Sequence, residues 1–261
     1  MSAKRVVVIG AGAAGTMAAI FAAQAGAQTT LLERTRDGGR KILISGGGRC
    51  NVLPASLDET RFVTDSSPNT LRKLVRSWPL AEQIAFFEHD AGIPLVEEIE
   101  SKKLFPASHK ARDVRDGLLA LAKRSGASLF TETQVIDVVQ AAQGWTVHCA
   151  GAPSLDADAV IVATGGLSVP QTGSDGIGLR VLAKLGHSIR PTYAALTPIV
   201  ATPSPYASLA GVSLSVTLTA TSASRSSTAS GGFLFTHIGY SGPSVLDVSH
   251  VVVRSRADAE T

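Results

Sequence analysis

The sequence predicts an α/β fold: a parallel central sheet with helices packed on it, a β-meander, and then the start of a second, β-rich domain. Three observations carry this. The run Arg5 to Ile9 is almost wholly apolar, as a central parallel strand buried on both faces must be. The segment after it, Ala13 to Ala25, is Ala-rich and closed by Gly26, which reads as a helix followed by its terminating glycine. From Pro191 onward, prolines (Pro191, Pro198, Pro203, Pro205) give way to Ser/Thr-rich alternation between Val212 and Thr221, a change of composition expected at a domain boundary. The predicted domains are therefore residues 1–190 and residues 191–261.

The remaining elements follow in order. Thr29 to Glu33 reads as the second strand, and Asp37 to Asn51 as a loop too rich in glycine, with five, to be a simple turn. Leu74, Trp78, Ile84, Phe86 and Phe87 recur at helical spacing between Leu71 and Ala91. Ala111 to Arg124 reads as a stronger helix, with Val114, Leu118, Leu121 and Ala122 on one face. Alternation in Leu129 to Val139 and in Trp145 to Cys149 predicts the meander. Asp158 to Thr164 reads as a further buried strand ending in Gly165 and Gly166, and Thr221 to Ser230 as a hairpin loop.

Composition narrows the function classes. With 24 Lys+Arg against 21 Asp+Glu the net charge is only +3, and the basic residues are interspersed with acids, so nucleic acid is not expected as a partner. Two cysteines, Cys50 and Cys149, form neither a metal motif nor a disulfide framework, which points to a reducing cytoplasm. Val6 to Leu32 holds no charged residue and invites a membrane or secretory reading. Its four glycines, two glutamines and opening β-branched run argue against that reading, and no membrane partner is expected.

The chemistry is carried by two constellations. Gly10, Gly12 and Gly15 stand at G-x-G-x-x-G spacing between a strand and a helix. Gly10 permits the tight turn, Gly12 lets the backbone approach a pyrophosphate, and Gly15 lets helix and strand pack closely. With Ala13 and Ala14, the amides and positive dipole of the helix N-terminus then hold phosphates. Glu33 follows Gly15 by 18 residues, where a carboxylate accepts from a ribose, and Arg34 stands beside it. An acid there favours FAD or NAD over NADP. The second constellation is the loop G-G-R-K-I-L-I-S-G-G-G-R-C-N, Gly38 to Asn51, which a nicotinamide enzyme has no use for and which can run along an extended cofactor. Arg40 and Lys41 can offset pyrophosphate charge there, while Ser45, Gly46, Arg49, Cys50 and Asn51 can lie along the flavin half. The alternative, in which Arg40 and Lys41 are solvated charges and Cys50 a small core residue, stays open.

These motifs, with L-F-P-A-S-H-K-A from Leu104, A-T-G-G-L-S-V-P-Q-T-G-S-D-G from Ala163 and F-T-H-I-G-Y-S-G-P from Phe235, resemble the BaiN/YhiN-like flavoproteins of the two-dinucleotide-binding-domain superfamily. The resemblance implies non-covalent FAD on a Rossmann-like domain, with an inserted β-rich domain covering the flavin. It implies a hydride-transferring oxidoreductase acting on a small organic substrate, an enone in some members and an amine in others, with NAD(P)H as a possible electron donor. It places the Val135 backbone at the adenine, with an ordinary strand valine as the open alternative, Ala163, Thr164, Gly165 and Gly166 near the cofactor, and His237 as the side chain facing substrate or flavin. His237 as proton donor or acceptor and His237 as a structural hydrogen-bonding residue stay open as alternatives. Related flavoproteins return to the FAD domain in a late closing segment, so the resemblance leads to the expectation of a C-terminally truncated chain. An NAD-dependent dehydrogenase and a non-catalytic flavin-binding fragment are the competing readings, and neither substrate nor oligomeric state is legible.

Overall fold

The computed structural model describes residues 2–59, 62–64 and 66–258, and the chain divides into two compact units, Met1–Ser188 and Ile189–Thr261. Residues 259–261 lie outside the described residues.

The first unit opens with β1 (Arg5–Ile9), α1 (Ala13–Gln24) and β2 (Gln28–Leu32). There follow α2 (Arg40–Ile44), β3 (Leu53–Pro54), α3 (Pro68–Arg76), α4 (Leu80–Ala85), β4 (Leu95–Glu98), β5 (Lys103–Pro106) and α5 (Ala111–Arg124). Then come β6 (Ser128–Phe130), β7 (Val135–Gln140), β8 (Trp145–Cys149), β9 (Ala152–Ala157), β10 (Ala159–Val162) and α6 (Ile177–Lys184). The central sheet is parallel, in the order β10-β1-β2-β6, and β7, β8 and β9 form the antiparallel meander.

The apolar run Val6 to Ile9 of β1 is explained by its two faces. Val6 and Val8 join one core cluster, with Ile20 of α1 and Val114, Leu118 and Leu121 of α5. Val7 and Ile9, pointing the other way, join a second, with Val138 and Val147 of the meander and Val181 of α6. Each buried valine contributes about 1.5–3 kcal/mol. The sheet is thus sandwiched between helices and meander, and the β1–α1 turn is fixed at its edge.

Four expectations need correction. The alternation read as one strand from Leu129 to Val139 is two: β6 joins the parallel sheet and β7 the meander. Between them Glu132 takes a positive φ of 52°, and the amides of Glu132 and Thr133 donate to the carbonyls of Thr35 and Glu33, so the chain turns from one sheet to the other. The helix read over Leu71 to Ala91 breaks at Pro79 into α3 and α4, and ends in a π-helical turn, Phe86–Asp90. The glycine-rich loop contains helical turns, Arg40–Ile44 and Ser45–Gly48, the second with left-handed Gly46 and Gly47.

The fourth correction lies in the second unit, which holds β11 (Ile199–Val200), β12 (Ser213–Thr221), β13 (Ser226–Thr236), β14 (Gly239–Ser241) and α7 (Pro243–Ala257). Its antiparallel sheet runs β11-β14-β13-β12. The expected loop Thr221 to Ser230 shrinks to a turn, and Ser226 to Ser230 are strand. The reason is a ladder of hydroxyl pairs across the exposed face: Thr217 with Ser230 and Thr219 with Thr228, both at 2.8 Å. No helix of the described residues is long and apolar enough to cross a membrane, and the charge-free stretch Val6 to Leu32 is simply β1, α1 and β2.

A dinucleotide cleft at the first strand-helix turn

A cavity of about 700 Å³ opens at the carboxyl ends of β1, β2 and β10. Its floor is the glycine turn. Gly10 has φ of 100°, and a Cβ there would sit 2.7 Å from the Ala163 carbonyl oxygen. On Gly15 it would sit 1.7 Å from the Gly10 carbonyl oxygen, so α1 lies on the turn too closely for any side chain. Gly12 differs: its φ is −75° and a Cβ there would meet no protein atom within 4 Å. It would point into open space at a cleft that Gly12, Ala13 and Ala14 line. Helix α1 starts at Ala13 with no side-chain cap and no acid in its first turn, leaving its first amides for an anion.

Glu33 lies at the end of β2, 8% exposed. Its Oε2 accepts from the Ala11 amide at 2.9 Å, and its Oε1 accepts from the Thr35 amide at 2.8 Å and the Thr35 hydroxyl at 2.7 Å. The carboxylate therefore holds the glycine turn in shape, and by lone-pair count one position on Oε2 remains for a ribose hydroxyl.

The basic residues separate. Arg40 pairs with Asp37 at 3.0 Å, which spends its charge locally. Lys41 Nζ donates to the Ser168 carbonyl at 2.8 Å, the Ser168 hydroxyl at 3.1 Å and the Ser174 hydroxyl at 2.8 Å. All three partners are neutral, so Lys41 keeps its net charge at the cavity wall. Arg34 pairs with Asp175 at 2.7 Å. Arg49 leaves the cleft altogether: it pairs with Glu98 at 2.7 Å and lies 4.5 Å from the Phe105 ring centroid. Its assignment to the flavin half is not supported by this geometry, because a nearby carboxylate and an aromatic face satisfy the guanidinium first.

Ser45, Cys50 and Asn51 line the cavity, whereas Gly46 packs beneath, where a Cβ would lie 3.0 Å from the Asn51 amide nitrogen. Burial pushes the Cys50 thiol up, against a smaller opposing effect of the Ser45 hydrogen bond, so it is a protonated wall residue rather than a nucleophile. Val135, Ala163, Thr164 and Gly165 also line the cavity, with Gly15 behind it. His237 belongs to the second unit, exposed in the turn from β13 to β14, and its ring has no hydrogen bond among the described residues. The structural hydrogen bond considered for it is absent there.

Sequence reasoning missed part of the wall. Thr172, Gly173, Ser174, Ile177 and Gly178, from the segment that folds back toward Arg34 and Lys41, line the cavity. So do Thr35, Gly39 and Thr133, and the apolar side chains of Ile42, Val52, Phe87, Val114 and Leu118. The T-G-S-D-G-I-G run, glycine-rich and opening α6, was the available signal for the first group. Among the described residues no cluster of His, Cys, Asp and Glu is arranged to hold a metal, and both cysteines are free.

An open Gly12, uncapped amides, one unneutralised lysine, a ribose-facing acid and a long wall beyond the pyrophosphate position fit a whole dinucleotide. These features define a Rossmann-like cleft suited to an adenine dinucleotide. Residues 4–241 match the HI0933-like protein Rossmann domain, and the chain belongs to that family. A 3-dehydro-bile acid delta(4,6)-reductase from Clostridium scindens is 31% identical over 210 residues, covering 80% of this chain and 50% of that protein. A ribosomal RNA dihydrouridine synthase from Escherichia coli is 29% identical over 248 residues, covering 93% and 60%. The chain thus spans half to three fifths of the length of these curated relatives. Among solved structures, glycine oxidase from Geobacillus kaustophilus aligns over 72% of this chain and 60% of its own, at a TM-score of 0.49 and 18% identity.

Proposed function

We propose that the chain carries the FAD site of an oxidoreductase that reduces a carbon–carbon double bond conjugated to a carbonyl in a small organic molecule. When bound, FAD supplies the hydride, and NAD(P)H is the proposed source of its electrons. The first amides of α1 and the Lys41 ammonium take the pyrophosphate, Glu33 takes the ribose, and the Gly38 to Asn51 segment carries the flavin half. Residues 1–190 are the proposed FAD domain and residues 191–261 a proposed β-rich inserted domain, from which His237 is the proposed proton donor or acceptor. Cytoplasmic residence is part of the same proposal.

The observation that carries the reading is Gly12, an unstrained position whose absent side chain leaves the cleft open at the helix N-terminus. The choice of substrate class rests on chemistry shared by the relatives' names. A 3-keto steroid with double bonds at positions 4 and 6 and a uracil ring both present an alkene activated by a carbonyl. Hydride adds to the carbon remote from the carbonyl and a proton to the adjacent one, so the electron pair and proton of the hydride plus one further proton balance the reduction. A second reading, with the alkene in a uracil of ribosomal RNA, is favoured by the names of two relatives that align over 93% and 94% of the chain.

The test is direct. The purified protein is expected to be yellow, with flavin absorbance that NADH or NADPH bleaches and a 3-keto-4,6-diene steroid restores. Restoration by a uridine-containing ribosomal RNA fragment and not by the steroid favours the second reading. A colourless protein that takes up no FAD at saturating supply overturns both.

A further inference from the structure

The acid and the arginine that distinguish the two kinds of adenosine ribose stand side by side in this chain, as Glu33 and Arg34. An acid at the end of the second strand suits a free 2′-hydroxyl, whereas an arginine close by accommodates a 2′-phosphate. Both residues line the cleft. Their sequence order does not say which one dictates the preference.

The structure separates them by what each is bound to. Glu33 is buried and held by the Ala11 amide and Thr35. Arg34 is engaged: its Nη1 donates to Asp175 Oδ2 at 2.7 Å, joining the residue after β2 to the segment before α6. Gly173 brings that segment close, since a Cβ there would lie 3.6 Å from Arg34 Nε. Asp175 itself is fixed on its own side, because its Oδ1 accepts from the Ile177 amide at 3.2 Å and its carbonyl accepts from Arg180 at 2.9 Å. The Arg34 guanidinium beside Asp175 holds its carboxyl below the usual carboxylate range, so the pair is ionised throughout the neutral range.

We infer that Asp175 is a specificity-determining residue that acts through Arg34: by pairing with it, Asp175 offsets the guanidinium charge that a ribose 2′-phosphate would draw on. The inference rests on the dinucleotide reading of the cleft and extends it to a residue outside the glycine motif. Arg34 keeps its position in the cleft wall with its charge offset and one of its donors engaged. The discrimination is therefore held by a contact between two segments 141 residues apart, not by the residue type at the end of β2.

The experiment compares ADP with 2′,5′-ADP as calorimetric probes of the adenosine half, on the full chain. Asp175→Asn keeps an oxygen to cap Ile177 and removes the charge. The wild type is expected to prefer ADP. In the variant the ratio of the two dissociation constants is expected to shift toward 2′,5′-ADP by about tenfold, the worth of one charge-assisted hydrogen bond. Arg34→Ala combined with Asp175→Asn is expected to remove that shift, and Asp175→Glu to restore the wild-type ratio. Loosening of the fold weakens both probes alike, so an unchanged ratio in Asp175→Asn overturns the inference. So does a shift that survives loss of Arg34. If the wild type binds neither ADP nor FAD, the dinucleotide reading itself falls and takes this inference with it.

Discussion

Replacing Gly12 by alanine separates cofactor binding from folding. The added methyl meets no protein atom within 4 Å, and the backbone at φ −75° and ψ −172° is extended and open to any residue. The folded protein therefore loses nothing. It gains about 0.4–1 kcal/mol, because alanine restricts the unfolded chain, or about 1–4 °C in the melting temperature of a unit this size. The cofactor meets the opposite effect. A methyl at the helix N-terminus displaces the diphosphate from the first amides of α1, and two charge-assisted hydrogen bonds at about 1.5–3 kcal/mol each amount to an affinity loss of about a hundredfold or more. Differential scanning fluorimetry with and without FAD reads both. At a hundred times its dissociation constant FAD raises the wild type by about 2.7 kcal/mol, or about 5–10 °C, and raises Gly12→Ala by no more than about 0.4 kcal/mol, or about 1–2 °C. Gly15→Ala is the contrasting control: its methyl would lie 1.7 Å from the Gly10 carbonyl oxygen, and a loss of at least about 3 kcal/mol is expected without any ligand. A Gly12→Ala protein that keeps its FAD-dependent shift refutes the placement of the diphosphate.

Four further outcomes follow from the same geometry. Lys41→Met removes the cation whose partners are all neutral, and FAD affinity by fluorescence quenching is expected to fall about tenfold, with a weaker salt dependence than wild type. Asp37, Asp137, Asp158 and Asp175 have carboxyls held below their ordinary values, chiefly by hydrogen bonds: from Arg40, Lys184 and Arg34 to the first, second and fourth, and from the Arg5 amide to Asp158. Groups depressed in the folded state stabilise it above the unfolded value and lose that contribution as pH falls through the folded one, so these carboxyls are expected to leave the melting temperature level down to about pH 5 and to lower it below about pH 4, while His250, held below its ordinary value by burial and by Arg254 and Arg225, adds a decline as pH falls through the ordinary histidine range. Cys50 and Cys149, both raised by burial, are expected to react with a thiol reagent at pH 7.5 far more slowly in the native protein than in denaturant, where two thiols titrate at once. His237→Gln is expected to lower turnover without changing FAD affinity, since the pyrophosphate and ribose contacts proposed for the cofactor are all made by residues of the first unit; an equal loss of flavin from that variant contradicts its assignment.

Much of the cofactor cleft was legible because its chemistry is local. The turn Gly10 to Gly15, the buried strand before it and the acid ending the next strand sit within 29 residues, and each residue's role follows from backbone sterics or from the two faces of one strand. Helix Ala111–Arg124 was legible for the same reason, an apolar stripe at its own period. What lay beyond reach were choices made between distant segments. Nothing near Arg49 announces that Glu98 and Phe105 draw it from the cleft, and nothing near Arg34 announces Asp175. The partition of Leu129 to Val139 between two sheets likewise depends on where Thr35 and Glu33 offer their carbonyls. Spacing and residue type determine which backbone conformations and faces a segment can offer. A charged side chain takes its partner from whatever the folded chain brings within about 4 Å, and only the tertiary structure decides what that is.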